Sequence, residues 1–216
     1  MASHIGRIED LADLVASDLA GKTRLLVSIA GVPGAGKSTL VEKVTSELRK
    51  KGIHAKALPQ DGYHYYRKEL EQFDDPKEAF RRRGAPFTFN ADAFIDTVRK
   101  LRTGETVVAP SFDHSKKDPL EGDIVIEPDV RVVFIEGNYV GLKDEPWCAL
   151  GSLTDRLWLI QEDSAVVRER LIQRHLSSGV SSSLEEAIER CDGSDWQNAI
   201  YVMEHTRTPD TVVTVS

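Results

Sequence analysis

The stretch GVPGAGKS at residues 31–38 constrains this chain more than any other. It fits the pattern GxxxxGK[ST], and its flanks are the ones that pattern needs. RLLVSIA at 24–30 is short, apolar and rich in β-formers, and from 38 to 51 Leu40, Val41, Val44 and Leu48 fall on one side of a helix that Gly52 ends. A strand, a glycine loop and a helix in that order turn successive backbone N–H groups and the positive end of the helix dipole toward one anion. Lys37 is then placed to reach outer phosphates and Ser38 to ligate Mg²⁺. Gly31, Val32, Pro33, Gly34, Ala35, Gly36, Lys37, Ser38 and Thr39 are the expected nucleotide-phosphate cradle. A turn alone explains the glycines but not Lys37 beside Ser38.

The rest of the chain alternates. Strands are expected at 54–58, 106–109, 131–135, 156–160 and 211–215, separated by helical patterns. Ile5, Ile8, Leu11, Val15 and Leu19 make one stripe of a first helix within 1–22. Phe94, Ile95, Val98 and Leu101 make another, with Asn90 as its N-cap. A third helix, 163–178, carries Arg168, Arg170 and Arg174 and runs into the serine-rich loop 177–183. Such alternation predicts an α/β fold, a doubly wound, mostly parallel sheet of about five strands with helices on both faces. With 216 residues the expectation is one domain, 1–216, with an insertion at 63–90 and a lid region at 163–183.

Composition narrows the partners. The net charge of −7 argues against nucleic acid, and the longest apolar stretches, 25–32 and 130–135, fall well short of the roughly 20 residues a spanning helix requires. Residues 1–7 lack the features of a secretory signal. Cys148 and Cys191 are too few for a disulfide framework, so free thiols in a cytoplasmic compartment are expected.

A glycine loop of this kind binds nucleotide in GTPases, ATPases and kinases alike, so other residues must decide what receives the phosphoryl group. RVVFIE at 131–136 is a buried strand ending in Glu136, where such proteins keep an acid that holds Mg²⁺ directly or through water; a capping or salt-bridged glutamate would look the same. Asp61 follows the strand at 54–58, at the carboxyl end where ligands gather in a doubly wound sheet. There a carboxylate could aim an alcohol and take its proton, although Asp61–Gly62 could equally form a plain turn.

The set GVPGAGKST, QDGYHYYRKEL, RRGAPFTFNADAF, APSFDHSKKDP, VVFIEGNYVGL and RERLIQRH, spread over residues 24 to 202, resembles the phosphoribulokinase/uridine kinase family of P-loop kinases. Within it the chain is most similar to the pantothenate-kinase-like and fructose-transport-associated subgroup. The resemblance implies a P-loop NTPase fold with a helical lid. It makes Asp61 the base or orienter for an acceptor hydroxyl and Glu136 the acid after the fourth strand. Asp113 and His114 become acceptor contacts, and Arg170 and Arg174, four apart on one helix face, close over the phosphates. Arg168 points elsewhere.

Among 63–90, Tyr63 and its aromatic neighbours could stack on an acceptor or form lid core, and Arg83 could bind an anionic acceptor or cover the surface. Asp195 and Asn198 in SDWQNA resemble a stretch of the subgroup to which no role attaches. The expected activity is ATP- and Mg²⁺-dependent phosphorylation of a hydroxyl on a nucleoside, vitamin or sugar, with Asp61, Lys37, Arg170 and Arg174 catalytic and Ser38 and Glu136 on the metal. An acceptor-independent ATPase or nucleotide switch is the alternative. The expected partners are that small molecule and, as a candidate assembly, a second copy of the chain; neither nucleic acid nor a membrane is expected.

Overall fold

Apolar runs without polar alternation become the middle of the sheet. In the structure, a computed structural model that describes residues 2–113 and 115–214, β2 (Leu25–Ala30) and β6 (Val132–Gly137) are buried at every position, as strands covered by helices on both faces must be. Around them, β1 (Ser3–Ile5), β8 (Thr211–Thr214), β7 (Arg156–Gln161), β2, β6 and β3 (Ala55–Pro59) lie side by side in that order. Every pairing among these strands is parallel.

Helices cover both faces. On one, α1 (Ile8–Leu19) and α2 (Lys37–Lys50) bring Leu11, Val15, Leu40, Val44 and Leu48 against Phe134 and Trp158. On the other, α5 (Ala91–Leu101), α6 (Leu150–Leu153) and α9 (Trp196–His205) bury Phe94, Val98, Leu150 and Val202 on Ile135, Tyr139 and Leu157. The expected cap of α5 is present, with Asn90 Oδ1 accepting the N–H of Ala93 at 3.1 Å. A third cluster joins α7 (Ser164–Ser177) to α8 (Leu184–Arg190) through Val167, Leu171, Ile172, Ala187 and the buried thiol Cys191, with Val32 of the glycine loop packed on it. Cys148 and Cys191 are both free thiols. Among the described residues no helix is long and apolar enough to cross a membrane.

Three expectations need correction. The 106–109 segment is not part of the parallel sheet: it opens β4 (Val107–Asp113), which pairs antiparallel with the unforeseen β5 (Asp118–Ile126). Val108, on this hairpin, is 59% exposed, a pattern suited to a sheet covered on one face only, and a short turn suffices to join antiparallel strands where a parallel pair needs a crossover. The register shifts between Ala109 and Ser111, at Pro110, which has no N–H to give a ladder. The second correction is at the N-terminus, where 1–22 holds a strand before its helix; β1 completes the sheet's edge on β8. The third is the count, six strands in the parallel sheet among the described residues rather than about five. Met1, His114, Val215 and Ser216 lie outside the described residues.

The segment 63–90 carries only α3 (Arg67–Leu70) and α4 (Pro76–Arg81) as α-helix. The chain passes from β2 to β3 on one side of β2 and from β6 to β7 on the other, so the glycine loop leaves the sheet at its topological switch point, where α/β sheets bind ligands.

Candidate active site

Strand register brings the site together. Ala30 lies opposite Gly137, and Glu136 lies opposite Pro59. The ends of three adjacent strands therefore present the loop after β2, Glu136 to Tyr139 after β6, and Gln60 and Asp61 after β3 at one edge of the sheet.

In the loop, Gly34 and Gly36 have φ of +81° and +91°, a left-handed conformation that glycine adopts without steric cost. α2 begins with no side-chain cap, so its first N–H groups face the loop. Lys37 Nζ donates to Gly31 O (2.9 Å), Val32 O (3.1 Å) and Asn138 Oδ1 (2.7 Å), which occupies all three of its protons. Burial pulls its pKa down to about 8, against the pull of Glu136 and Asp61; the nearby Arg174 adds to the lowering. Ser38 Oγ donates to Glu136 Oε2 at 3.0 Å. Burial raises the Glu136 carboxyl above its ordinary range, although the Ser38 hydroxyl and Lys37 favour its charged form.

This donor pair fits Mg²⁺, which binds one or two protein oxygens and otherwise keeps water and substrate phosphates. Among the described residues no cluster of three or more His, Cys, Asp or Glu offers an all-protein metal cage.

Asp61 sits on a 3₁₀ turn, Gln60–Tyr63. Its carboxylate is exposed and makes no hydrogen bond among the described residues, while its carbonyl accepts from His64 N (3.2 Å) and lies 2.9 Å from His64 Nδ1. The turn is wedged in place. A Cβ on Gly62 would lie 2.2 Å from Pro110 O, and one on Gly137 2.1 Å from Gln60 Oε1. Gln60, itself buried, accepts the N–H of Tyr139 at 3.1 Å.

α7 flanks the loop from the other side. A Cβ on Gly34 would lie 2.9 Å from Leu171 Cγ, so the glycine permits close helix packing. Arg170 Nη1 pairs with Glu162 Oε2 at 2.9 Å and lies 3.7 Å from where a Cβ on Gly36 would stand, which puts its guanidinium over the loop. Arg174 is exposed, with no carboxylate in ion-pair range among the described residues, and is close enough to act on Lys37. Arg168 does face away, in a two-point pair with Asp192 at 2.7 and 2.8 Å. Past the end of α7, Gly179 O accepts from Lys117 Nζ at 2.8 Å, joining the β4–β5 turn to the serine loop.

Other candidates are taken up by packing or by partners of their own. Tyr63 is buried edge-on against Phe94, with ring centroids 4.9 Å apart; burial raises its hydroxyl to about 12. Arg83 is occupied by Tyr65 O (2.9 Å), Lys117 O and Asp118 Oδ1 (3.1 Å), tying 63–90 to the hairpin. Asp113 Oδ1 accepts from Ser115 N (2.9 Å), Ser115 Oγ (2.6 Å) and Lys116 N (3.2 Å); the Ser115 hydroxyl foremost draws its pKa down to about 2. His114 lies outside the described residues.

Asn138, Gln60 and Glu162 carry contacts that no sequence argument assigned. Asn138 had a signal: it follows Glu136 by two, and alternation places both on one side of a strand end. Asp195 accepts from or donates to the buried His175 ring across 2.5 Å, and Asn198 Oδ1 accepts from Arg82 Nη2 at 3.2 Å.

Comparison with known proteins bears on the family and the fold. A family model described as Phosphoribulokinase / Uridine kinase family matches residues 26–187. The Schizosaccharomyces pombe protein named "Putative uridine kinase C227.14" is 39% identical over 222 residues, spanning 98% of this chain and 92% of its own. A crystal structure from Silicibacter sp. TM1040, titled as a "putative fructose transport system kinase", superposes with a TM-score of 0.87 at 30% identity, over 97% of this chain and 99% of that one. YFH7 from Saccharomyces cerevisiae shares the fold with a TM-score of 0.85 at 21% identity, over 97% and 98% of the two chains.

Proposed function

Because the chain belongs to the phosphoribulokinase/uridine kinase family of P-loop kinases, we propose that it transfers the γ-phosphoryl group of ATP to a hydroxyl of a small metabolite. The observation that carries this reading is the exposed Asp61 carboxylate, free of hydrogen bonds among the described residues and on the turn that follows β3, the strand paired with the one that carries Glu136.

Phosphoryl transfer asks little covalent chemistry of a protein and much positioning and charge stabilisation. Ser38 and Glu136 would hold Mg²⁺, which when bound would supply neutralisation of phosphate charge. Lys37 exchanges a loop carbonyl for a phosphate oxygen while Asn138 keeps its ammonium aimed. The loop N–H groups and the start of α2 hold the remaining oxygens. Asp61 accepts the hydrogen bond of the acceptor hydroxyl, aligns its oxygen in line, and takes the proton as the new O–P bond forms and the bond to ADP breaks. Arg170 and Arg174, on one face of α7, balance charge on the transferring group.

The test is ADP release from Mg-ATP with and without a panel of nucleosides, vitamins and sugars. Release that rises well above background with one acceptor supports the reading; equal release without any acceptor replaces it with a simple ATPase. Glu136→Gln separates the metal role from a structural one. Because burial raises the Glu136 pKa, its charge opposes folding once pH exceeds the ordinary carboxylate value, so the neutral amide is expected to raise the melting temperature at pH 7. The same variant is expected to need far more Mg²⁺ and to slow transfer by about 10²-fold. A titration of Mg²⁺ against initial rate, beside a thermal melt, checks both.

A further inference from the structure

In a chain of net charge −7, Arg82 and Arg190 meet where the loop 82–84 packs on α8 and α9, without a carboxylate partner among the described residues. Arg81 pairs with Glu78 and Arg83 with Asp118. Arg82 and Arg190 have no ion pair among the described residues: each donates once to a neutral oxygen, Arg82 Nη2 to Asn198 Oδ1 (3.2 Å) and Arg190 Nη2 to Arg83 O (3.0 Å). The Nε atoms of both are buried with no partner, and so is the hydroxyl of the buried Ser194. Asp195, the adjacent acid, is engaged with His175. Buried donors left unmatched in this way call for an explanation, and a guanidinium with open N–H groups matches a carboxylate or phosphate in geometry as well as charge.

The local backbone gathers these groups. Arg190, Ser194 and Asn198 follow at spacing four through α8, a π-helical turn at Cys191–Asp195, and α9, and π-turns inside α-helices occur often at functional sites. From the other side, Tyr139 Oη donates to Gly84 O at 2.5 Å, fixing the loop that carries Arg82 and Arg83. Tyr139 directly follows Asn138, the partner of Lys37. Its hydroxyl, raised by burial, is within electrostatic reach of Arg82, Asp195 and Asp61, so Tyr139 connects the loop of Arg82 with Asp61 and, through the neighbouring Asn138, with Lys37. Burial also lowers the pKa of Arg83, with Arg67 and Arg190 adding like-charge repulsion. Arg82, Arg190 and the Ser194 hydroxyl bring donors and positive charge together, which an anion matches more fully than a neutral hydroxyl does.

We propose that the phosphate acceptor is itself an anion, a hydroxyl-bearing carboxylate or phosphate ester whose charged group is held by Arg82 and Arg190, with Ser194 and Asn198 beside them. This rests on the kinase reading above and adds the class of substrate.

The test loads the protein with Mg²⁺ and adenylyl imidodiphosphate, which fills the nucleotide phosphate site, and titrates in malonate and, separately, inorganic phosphate by calorimetry. One of them is expected to bind saturably at one site. Arg82→Gln and Arg190→Gln are each expected to weaken that binding about tenfold or more, and Arg82→Lys less. Since Arg190 also bonds Arg83 O, a melt accompanies each variant, and Arg82→Gln decides the matter if Arg190→Gln unfolds. In parallel, ADP release is compared for matched acceptors, glycerate with glycerol and glucose 6-phosphate with glucose. Turnover confined to the anionic member, with its KM raised by Arg82→Gln, supports the inference. Absence of saturable anion binding overturns it, as does turnover of a neutral acceptor with a KM indifferent to Arg82→Gln; both leave the kinase reading standing. Failure to bind the nucleotide analogue, or ADP release indifferent to every acceptor, overturns the kinase reading and the inference with it.

Discussion

Asp61→Asn is expected to fold, to melt within about 0.5 kcal/mol of the parent protein, to bind Mg-ATP, and to transfer phosphate about 10²–10⁴-fold more slowly. The small stability effect follows from the position: the carboxylate is exposed and makes no hydrogen bond among the described residues, and the turn is held by backbone contacts to His64. The large kinetic effect follows from the chemistry. Asparagine keeps the shape and can still accept a hydrogen bond from the acceptor hydroxyl, but it cannot keep the proton when the O–P bond forms. Single-turnover measurements with saturating acceptor separate this from product release. Near-normal transfer by the variant would remove Asp61 from the mechanism and leave the turn as its only role.

Gly62→Ala is expected to damage both stability and activity, by about 3 kcal/mol for the first. The Cβ would stand 2.2 Å from Pro110 O and 2.7 Å from Pro110 C. Both are backbone atoms of the hairpin, so no side chain can rotate away, and either the Asp61 turn or β4 must move. A shift of the turn carries Asp61 off line, and displacements of this order cost catalysis heavily because the rate depends on near-attack geometry. Chemical denaturation gives the stability loss, and the acceptor-dependent rate gives the other. A variant as stable and as active as the parent would mean that the turn and hairpin are not in firm contact.

Those two neighbouring positions show how far residues alone lead. Asp61 was legible as a candidate because strand-end carboxylates in α/β sheets gather at ligand sites, while Asp-Gly read equally well as a turn; the structure has the turn, with the carboxylate exposed at the strand end. The role of Gly62 was not legible, since nothing in PQDGYH says that a hairpin fifty residues on will press against it. The glycine loop was legible because its chemistry is local, residue by residue, and β2 and α2 follow from periodicity. By contrast, 106–109 reads as one more buried strand because a half-buried antiparallel edge and a short interior strand share the same β-forming residues. Tyr63 illustrates a second limit: an aromatic beside a candidate base looks like a stacking surface, but the turn directs its ring down onto Phe94. Asn138 and Gln60 show a third, because an amide's worth lies in which lysine or N–H it meets, and those partners come from distant strands.

The strand order has a consequence for how the protein comes to be. Residues 25–30 have as their sheet neighbours only 132–137 and 156–159. Long loops must therefore close before the glycine loop gains a wall on either side, and such closures are what slow the folding of parallel sheets. On a ribosome, the first half of the chain emerges without the strands that hold Lys37 and Ser38 in place, leaving an apolar β2 waiting for partners still to be made. Nucleotide affinity is then expected only after β6 and β7 have closed on β2, so binding of ATP would report that the centre of the sheet has formed.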